Sequence, residues 1–571
     1  MNRFKVLALG LVLFWTGSLW AQEPVIKPQS LQTVSKAVGK KYMAVSSDPI
    51  ATKIGAEVLA KGGNAVDAAV TMGFVMAVTY PSAGNLGGGG FMLVSAPKYS
   101  AALDYRERAP LRAHKDMFLG ADGEPDPELS RHNHLASGVP GTVAGLALAL
   151  HRWGTLSLKD ALAPAIALAE KGFVVDANLA ETLGARKDQL ARWPATKKIF
   201  FKGDQPYKEG ELLVQADLAK TLKLIALKGT EGFYKGETAK LIAQQMAEQG
   251  GLIDLLDLKG YVPAIRKPVE GTYKGYEVLS MPPPSSGGVH LIQLLNILES
   301  FQVERLGPNR TQTIHLMTEA MKLVYADRSR YLGDADFVKV PVTKLISKGL
   351  ARDEARRISR TTATPSAQIA PIRIGGYEST QTTHFSVIDA KGMAVSNTYT
   401  LNLSFGSGIV IAGTGVLMNN EMDDFSAKPG STNAYGLIGG RANEIAPKKR
   451  MLSSMSPTIV RRNKKVVLVT GSPGGSHIIT TTLQVILNVL DHQMVLERAV
   501  TQPRMHHQWL PDELWVEPGF DPEVLNDLTK KGHQIVQSRY LGAANSIHWN
   551  SKTGQLTGVA DPRLGGLALG E

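Results

Sequence analysis

Gln381-Thr382-Thr383-His384-Phe385-Ser386-Val387-Ile388-Asp389 runs through Ala390-Lys391-Gly392 into Met393-Ala394-Val395-Ser396-Asn397-Thr398-Tyr399-Thr400. In the first run, His384 and Ser386 alternate with Phe385 and Val387 at the two-residue period of a strand. The second run reads as its return strand. A three-residue loop with Gly392 in the left-handed region sets Asp389 opposite Met393. Counting outward from that pair puts Thr382 opposite Thr400, with two hydroxyls within reach at the open end of the ladder. A four-residue loop would shift the register by one. Taken alone, the stretch is also satisfied by a Thr-rich edge hairpin with no chemistry.

The flanking sequence bears on that choice. Residues 361–380 have the polar, Pro/Gly-containing composition of a flexible linker, and it ends at Thr382. Downstream come Asn419-Asn420-Glu421-Met422-Asp423-Asp424-Phe425 and a glycine-hinged loop, residues 429–440, carrying Tyr435. Leu452-Ser453-Ser454-Met455-Ser456-Pro457 follows. A strand at 466–470 then enters Gly471-Ser472-Pro473-Gly474-Gly475-Ser476, with a helix after it. Gly474-Gly475 presents consecutive backbone N–H groups at a strand-to-helix turn, a fit for an anion or a developing oxyanion. A plain tight turn satisfies the same residues. A P-loop is not supported, because GxxxxGK[ST] is absent and His477 stands where a lysine is expected.

Upstream, Asn64 caps a helix over 65–78 that is apolar almost all round and therefore buried. Gly87-Gly88-Gly89-Gly90 leads into a strand rather than a helix, which points to close backbone packing. A strand at 101–105 ends in Arg106 beside Pro110. Such an arginine is commonly a surface charge, but its fork also suits a carboxylate. Residues 137–145 form another glycine-rich turn into a helix, and residues 155–260 read as mostly helical. Ser280-Met281-Pro282-Pro283-Pro284-Ser285-Ser286-Gly287-Gly288 is a rigid loop before a helix over 290–300. A further helix, 313–332, contains Asp327-Arg328-Ser329-Arg330.

The 571 residues, 43% apolar and 20% charged, describe a globular protein with about two to four domain-sized cores or one large α/β body. The formal charge of +12 is spread along the chain. Its densest run, Arg461-Arg462-Asn463-Lys464-Lys465, lies between two apolar strands and reads as a solvated hairpin tip, so no nucleic-acid partner is expected. Arg3 and Lys5, an apolar stretch from Val6 to about Trp15, and Ser18-Leu19-Trp20-Ala21 form a signal peptide cleaved after Ala21. A retained anchor is the alternative, although the apolar core is short for a span. Without cysteine there is neither a disulfide, a thiolate metal site nor a lipobox. His506-His507 and His132-Asn133-His134 lack metal-site spacing, and GxSxG is absent, so neither a metal nor a cofactor is expected.

Thr382-Thr383-His384-Phe385-Ser386, Thr400-Leu401-Asn402, residues 419–425, residues 452–457 and residues 471–476 together closely resemble bacterial γ-glutamyltranspeptidase. Residues 62–69, 87–92 and 138–145 and Pro503-Arg504-Met505-His506-His507-Gln508-Trp509 are similar to the same family, so the resemblance spans nearly everything after the signal peptide. It implies a four-layer αββα sandwich of the N-terminal nucleophile hydrolases. It implies a precursor that cuts itself between Gln381 and Thr382 into a heavy chain (22–381) and a light chain (382–571), which remain paired as one body.

By the same resemblance Thr382 is the nucleophile, its freed α-amine is the general base, Thr400 hydrogen-bonds it, and Gly474 and Gly475 receive the oxyanion. Arg106, Ser453 and Ser454 match positions that hold a glutamyl α-carboxylate. Asn402, Glu421 and Asp424 match those that hold its α-ammonium, with Glu421 where bacterial members often carry glutamine. Residues 429–440, with Tyr435, resemble a lid. The implied substrates are glutathione and other γ-glutamyl compounds, with water, amino acids or dipeptides as acceptors, in the periplasm or outside the cell. The alternatives are a glutaryl or cephalosporin acylase, a poly-γ-glutamate hydrolase, and an uncut periplasmic binding protein.

Overall fold

The fold is that of a computed structural model of the chain, described for residues 33–369 and 382–571. Two seven-stranded sheets lie at its centre. The first runs Leu567–Gly570, Met43–Ser46, Thr383–Ile388, Ala394–Thr400, Gly89–Ala96, Tyr99–Asp104, Ala264–Arg266. The second runs Ser35–Gly39, Gln555–Ala560, Ser546–Asn550, Lys465–Thr470, Thr458–Arg462, Tyr276–Ser280, Val269–Tyr273. Every pairing in both is antiparallel.

The inner faces meet through Met43, Val45, Phe91, Leu93 and Ile388 on one side and Leu279, Ile459, Val469 and Ile547 on the other. The outer face of the first sheet, including Val387, Val395 and Tyr399, is covered by the helices Pro49–Ala60, Ala65–Thr79 and Thr142–Trp153. The outer face of the second, including Val278, Val460 and Leu468, is covered by Gly287–Glu299 and Leu496–Thr501, with Thr311–Tyr331 and His477–Leu490 packed against Gly287–Glu299. The layers are therefore αββα, the arrangement that the sequence resemblance implies. Strands from both sides of residue 382 interleave in both sheets, so the two segments share one body, with separate apolar clusters between its layers.

Local sequence explains the elements. Asn64 and Asp67 close a capping box at the start of Ala65–Thr79, and every residue of that helix is buried. Each large apolar side chain buried there contributes about 1.5–3 kcal/mol. The basic run turns at Asn463 and Lys464, both at positive φ, and is a hairpin tip as its composition suggests.

The Thr383–Ile388 and Ala394–Thr400 strands pair Thr383 with Tyr399 through Ile388 with Ala394. The loop is the three-residue form. Asp389 N–H donates to Met393 O at 3.0 Å, Gly392 N–H to Asp389 O at 3.0 Å, and Gly392 sits at φ 80°. Thr382 accordingly lies opposite Thr400. The hairpin is not an edge: Met43–Ser46 flanks one side and Gly89–Ala96 the other, and helices and the second sheet bury its two faces. The period-two alternation is kept, but its polar face is buried as well: His384 pairs with Thr398 and Ser386 Oγ donates to Asn545 O at 2.8 Å, so neither faces solvent.

The linker expectation changes. Ser366–Gln368 forms a 3-10 turn docked on the body. Ala363 N–H donates to Lys531 O at 2.7 Å, Ser366 N–H to Asp512 Oδ2 at 2.8 Å, and Trp509 Nε1–H to Ser366 O at 3.0 Å. These backbone bonds hold a polar segment that composition alone reads as loose. Residues 370–381, with Gln381, and the signal segment 1–21 lie outside the described residues. Among the described residues no helix is long and apolar enough to cross a membrane.

Asp389 ties the hairpin turn to the buried helix. Its Oδ1 accepts from Lys391 and Met393 N–H, and its Oδ2 accepts from Ala65 N–H at 3.0 Å. Asp389→Ala orphans these donors and is expected to cost about 2–4 kcal/mol, read as a fall in the melting temperature. A variant as stable as wild type would show that the turn does not need this carboxylate.

Candidate active site

The ladder ends where chemistry-bearing groups collect. Thr382 Oγ1 donates to Thr400 Oγ1 at 3.3 Å, and Thr400 Oγ1 accepts from Asn402 N–H at 2.9 Å. Asn402 takes φ 77°, which breaks the strand and turns the chain toward residues 419–424. The glycine tetrad lets the backbones close in. A Cβ on Gly88 would lie 2.2 Å from Thr400 O and one on Gly90 would lie 2.4 Å from Tyr399 Cβ, which supports the packing reading of that stretch. His384 stands two residues from Thr382, with Nδ1 paired to Thr398 at 2.8 Å and Nε2 to Ser386 at 3.1 Å. Burial lowers its pKa to about 3, so it is a poor base at neutral pH.

Around the threonine pair, one cavity is lined by Arg106, Arg328, Asn402, Glu421, Asp424, Tyr435, Ser453, Ser454 and Gly475. Asn419 aligns three of the contributing loops. It accepts from Gly138 and Glu421 N–H at 2.8 and 3.0 Å, and donates to Gly87 O and Gly138 O at 2.7 and 2.8 Å. Ser453 is fixed by the Pro-rich loop through its N–H to Pro284 O at 2.9 Å and through Ser286 N–H to Ser453 O at 2.8 Å.

The charges are arranged differently from the sequence expectation. Arg106 is buried and pairs directly with Glu421 and Asp424, with Glu107 Oε2 at 3.9 Å. The groups assigned to opposite charges of a ligand therefore hold each other, because in a closed pocket each is the other's best counter-ion. Burial alone would lower Arg106, but Glu421, Asp424 and Glu107 outweigh it and raise its pKa. Burial raises Glu421 and Asp424 against the pull of Arg106, and raises Glu107 to about 8. The cavity is about 20 Å³, room for about one water. Glu421 Oε2 and Asn402 Oδ1 are buried acceptors without hydrogen-bond partners.

The serines offer the opposite polarity. Ser453 Oγ accepts from Met455 N–H at 3.1 Å, and Ser454 Oγ accepts from Arg328 Nη2–H at 3.2 Å. Among the described residues neither hydroxyl has an acceptor for its own proton. Tyr435 lies over the site: its Oη donates to Asn402 O at 2.7 Å, and Gln508 Nε2 donates to Tyr435 O at 3.2 Å. Gly475 lines the cavity at φ 53°, whereas Gly474 sits one residue back at φ 126°, against Gly542.

Arg328 and Glu107 were not singled out from the sequence as site residues. A signal existed for Arg328: it follows Met321, Val324 and Tyr325 at helical spacing, on the buried stripe of Thr311–Tyr331. No comparable signal marks Glu107 within Arg106-Glu107-Arg108. Away from the site, His315, Glu319 and His533 lie close enough to share a cation. Both His315 nitrogens are already paired, with His533 and Ser359 O at 2.8 Å each, and Lys322 Nζ lies 3.1 Å from Glu319. The lysine therefore supplies the positive charge there.

A family model described as gamma-glutamyltranspeptidase matches residues 51–570. The glutathione hydrolase proenzyme of Escherichia coli (strain K12) is 51% identical over 526 residues, 92% of this chain and 90% of that one. Among solved structures, the cephalosporin acylase from Bacillus halodurans superposes with a TM-score of 0.83 at 27% identity, covering 96% of this chain and 99% of that one. Helicobacter pylori gamma-glutamyltranspeptidase gives 0.57 at 50% identity, covering 57% of this chain and 94% of that one.

A Cβ on Gly475 would lie 2.4 Å from the Tyr435 ring. Gly475→Ala is expected to cost about 2–5 kcal/mol from ring overlap and left-handed backbone together. In a Tyr435→Ala background only the backbone cost of about 1–2 kcal/mol remains. Thermal unfolding of the four proteins checks this; strictly additive shifts would mean that the ring does not rest on the glycine.

Proposed function

The chain belongs to the γ-glutamyltranspeptidase family, and on that premise we propose that Thr382, freed by self-cleavage after Gln381, transfers γ-glutamyl groups through a covalent ester. The single observation that carries this reading is the polarity of the pocket beside Thr382. Unpartnered acceptors on Asn402 and Glu421, with Asp424, suit an ammonium, while Arg106 and the two serine protons suit a carboxylate. That pattern complements the α-amino-acid end of a γ-glutamyl group and leaves its γ-carbonyl for Thr382.

Hydrolysis of the Gln381–Thr382 bond gives Thr382 an α-amine with a pKa near ~8, a far better base than His384. The amine takes the Oγ1 proton as Oγ1 attacks the γ-carbonyl, and Thr400 holds the hydroxyl in line. The oxyanion is received by the Gly475 N–H and, in support, by Gly474. The proton passes to the leaving amine, which departs. Water or an acceptor amine then attacks the ester by the same steps reversed, restoring Thr382. Donors are glutathione and related γ-glutamyl amides, with amino acids or dipeptides as acceptors. The heavy and light chains stay together because their strands interleave in both sheets. The signal segment directs the protein to the periplasm or outside the cell.

The acylase reading is disfavoured by the same acceptors. A glutaryl group has no ammonium and would leave Asn402 Oδ1 and Glu421 Oε2 buried and unpaired, at about 1–3 kcal/mol each. The tyrosine lid over the pocket likewise disfavours a long polymer.

Purified wild type is expected to run as two bands. Thr382→Ala should run as one and release no nitroaniline from a γ-glutamyl anilide; an uncut active wild type would end the mechanism. A glutaryl anilide should be about 10- to 100-fold poorer in kcat/KM than the γ-glutamyl one, and equal rates would favour the acylase.

Binding also moves a proton. Burial lifts Glu107 to about 8 and raises Glu421 and Asp424, so the cluster holds a proton that an incoming ammonium displaces. Affinity should then rise with pH until the cluster is ionised. Calorimetric titration with an unreactive γ-glutamyl analogue, in buffers of different ionisation enthalpy, should show net proton release near pH 7; proton uptake would contradict the ammonium assignment.

A further inference from the structure

Arg328 is a cation that the reaction described above does not use. It sits on the Thr311–Tyr331 helix, is 5% exposed and lines the same cavity as Thr382. Its Nε donates to Ser286 Oγ at 3.0 Å and its Nη2 to Ser454 Oγ at 3.2 Å. Arg106 has three carboxylates within 4 Å, but among the described residues Arg328 has none. Burial lowers its pKa to about 10, with Tyr325 and Asp424 opposing and Arg106 adding to the fall. It remains charged at neutral pH. A buried guanidinium without an anion is expensive unless one arrives.

We propose that Arg328 is a positioning residue for the donor's α-carboxylate, setting the Ser454 hydroxyl as a donor and supplying the pocket's second guanidinium charge. The inference rests on the reading that Arg106, Ser453 and Ser454 receive that carboxylate.

The chemistry is that of one hydroxyl. Ser454 Oγ has one proton and two lone pairs. A guanidinium only donates, so the Arg328 Nη2–H fills one lone pair and leaves the Ser454 proton to be given to another acceptor. Ser286 displays the same logic completed: its Oγ accepts from Arg328 Nε–H and donates to Ser453 O at 2.8 Å. Arg328 thus fixes the hydroxyl of Ser454 and, through Ser286, the backbone of Ser453.

The charge of Arg328 acts separately from its hydrogen bonds. When a zwitterionic donor enters, its ammonium competes with Arg106 for Glu421 and Asp424, and its carboxylate competes with those acids for Arg106. Arg328 lies outside that exchange because it holds no acid. Its field favours the carboxylate end at the serines and disfavours the ammonium there. This would fix which end of the head group goes to which wall, a discrimination that Arg106 alone cannot make while it shares both acids.

The test compares two anilide donors, L-γ-glutamyl and 4-aminobutyryl, which differ only by the α-carboxylate. Wild type should strongly prefer the first. Arg328→Met should lower kcat/KM for the γ-glutamyl anilide about 10- to 100-fold, mostly through KM, and change the 4-aminobutyryl anilide by less than about threefold. Arg328→Lys keeps the charge without the fork and should fall between. It also carries the comparison if Arg328→Met fails to mature into two chains. Equal losses on both donors, or no loss on either, would overturn the role of Arg328. If wild type itself treated both donors alike, the carboxylate site would be wrong at its root, and that control separates the two failures.

Discussion

The ladder between Thr383–Ile388 and Ala394–Thr400 sets the geometry on which the site depends. In an antiparallel pair, opposite residues are fixed by the turn, and one residue of slip sends every side chain to the other face. Here the turn is locked by Gly392 and by the Asp389 carboxylate, which also holds the first N–H of a fully buried helix. The strand partners on either side leave no room to slip. The reach between Thr382 and Thr400 is thus enforced by a core that extends through all four layers.

A second constraint is electrostatic. Three carboxyls share Arg106 in a space too small for an amino acid. Such a cluster is self-satisfying only in part: Glu421 Oε2 and Asn402 Oδ1 stay unpaired, and burial drives the acids toward their protonated forms. On the proposed function, a ligand with an ammonium and a carboxylate at one carbon relieves both defects at once. The pocket is closed by its own complementary charges, with the Tyr435 ring over Gly475 as the outer cover.

Much of this was legible residue by residue. The Asn64 cap, the close approach at the glycine tetrad and the basic hairpin tip follow from local rules, and those rules narrow the Thr382 hairpin to two registers, of which the three-residue turn is the one formed. The docking of residues 361–369 was not legible, because its backbone bonds go to Asp512, Trp509 and Lys531, more than a hundred residues away. Neither was the central place of the hairpin, since His384 and Ser386 read as a solvated face and are buried only through hydrogen bonds to Thr398 and Asn545. The pairing of Arg106 with Glu421 and Asp424 was missed because motif matching assigns each residue to a ligand, and the closed pocket lets them satisfy one another.

By itself the sequence determined the nucleophile candidate, a register that faces Thr382 to Thr400 given a three-residue loop, and the family to which these motifs belong. Those features are set by short spacings and by residue types that few other backbones need. Tertiary structure alone decided the electrostatics: which acids share Arg106, which acceptors are left over, and that Arg328 turns inward to Ser454 and Ser286. Charge partners separated by a hundred residues or more are chosen by packing and dielectric, and no local pattern along the chain encodes that choice.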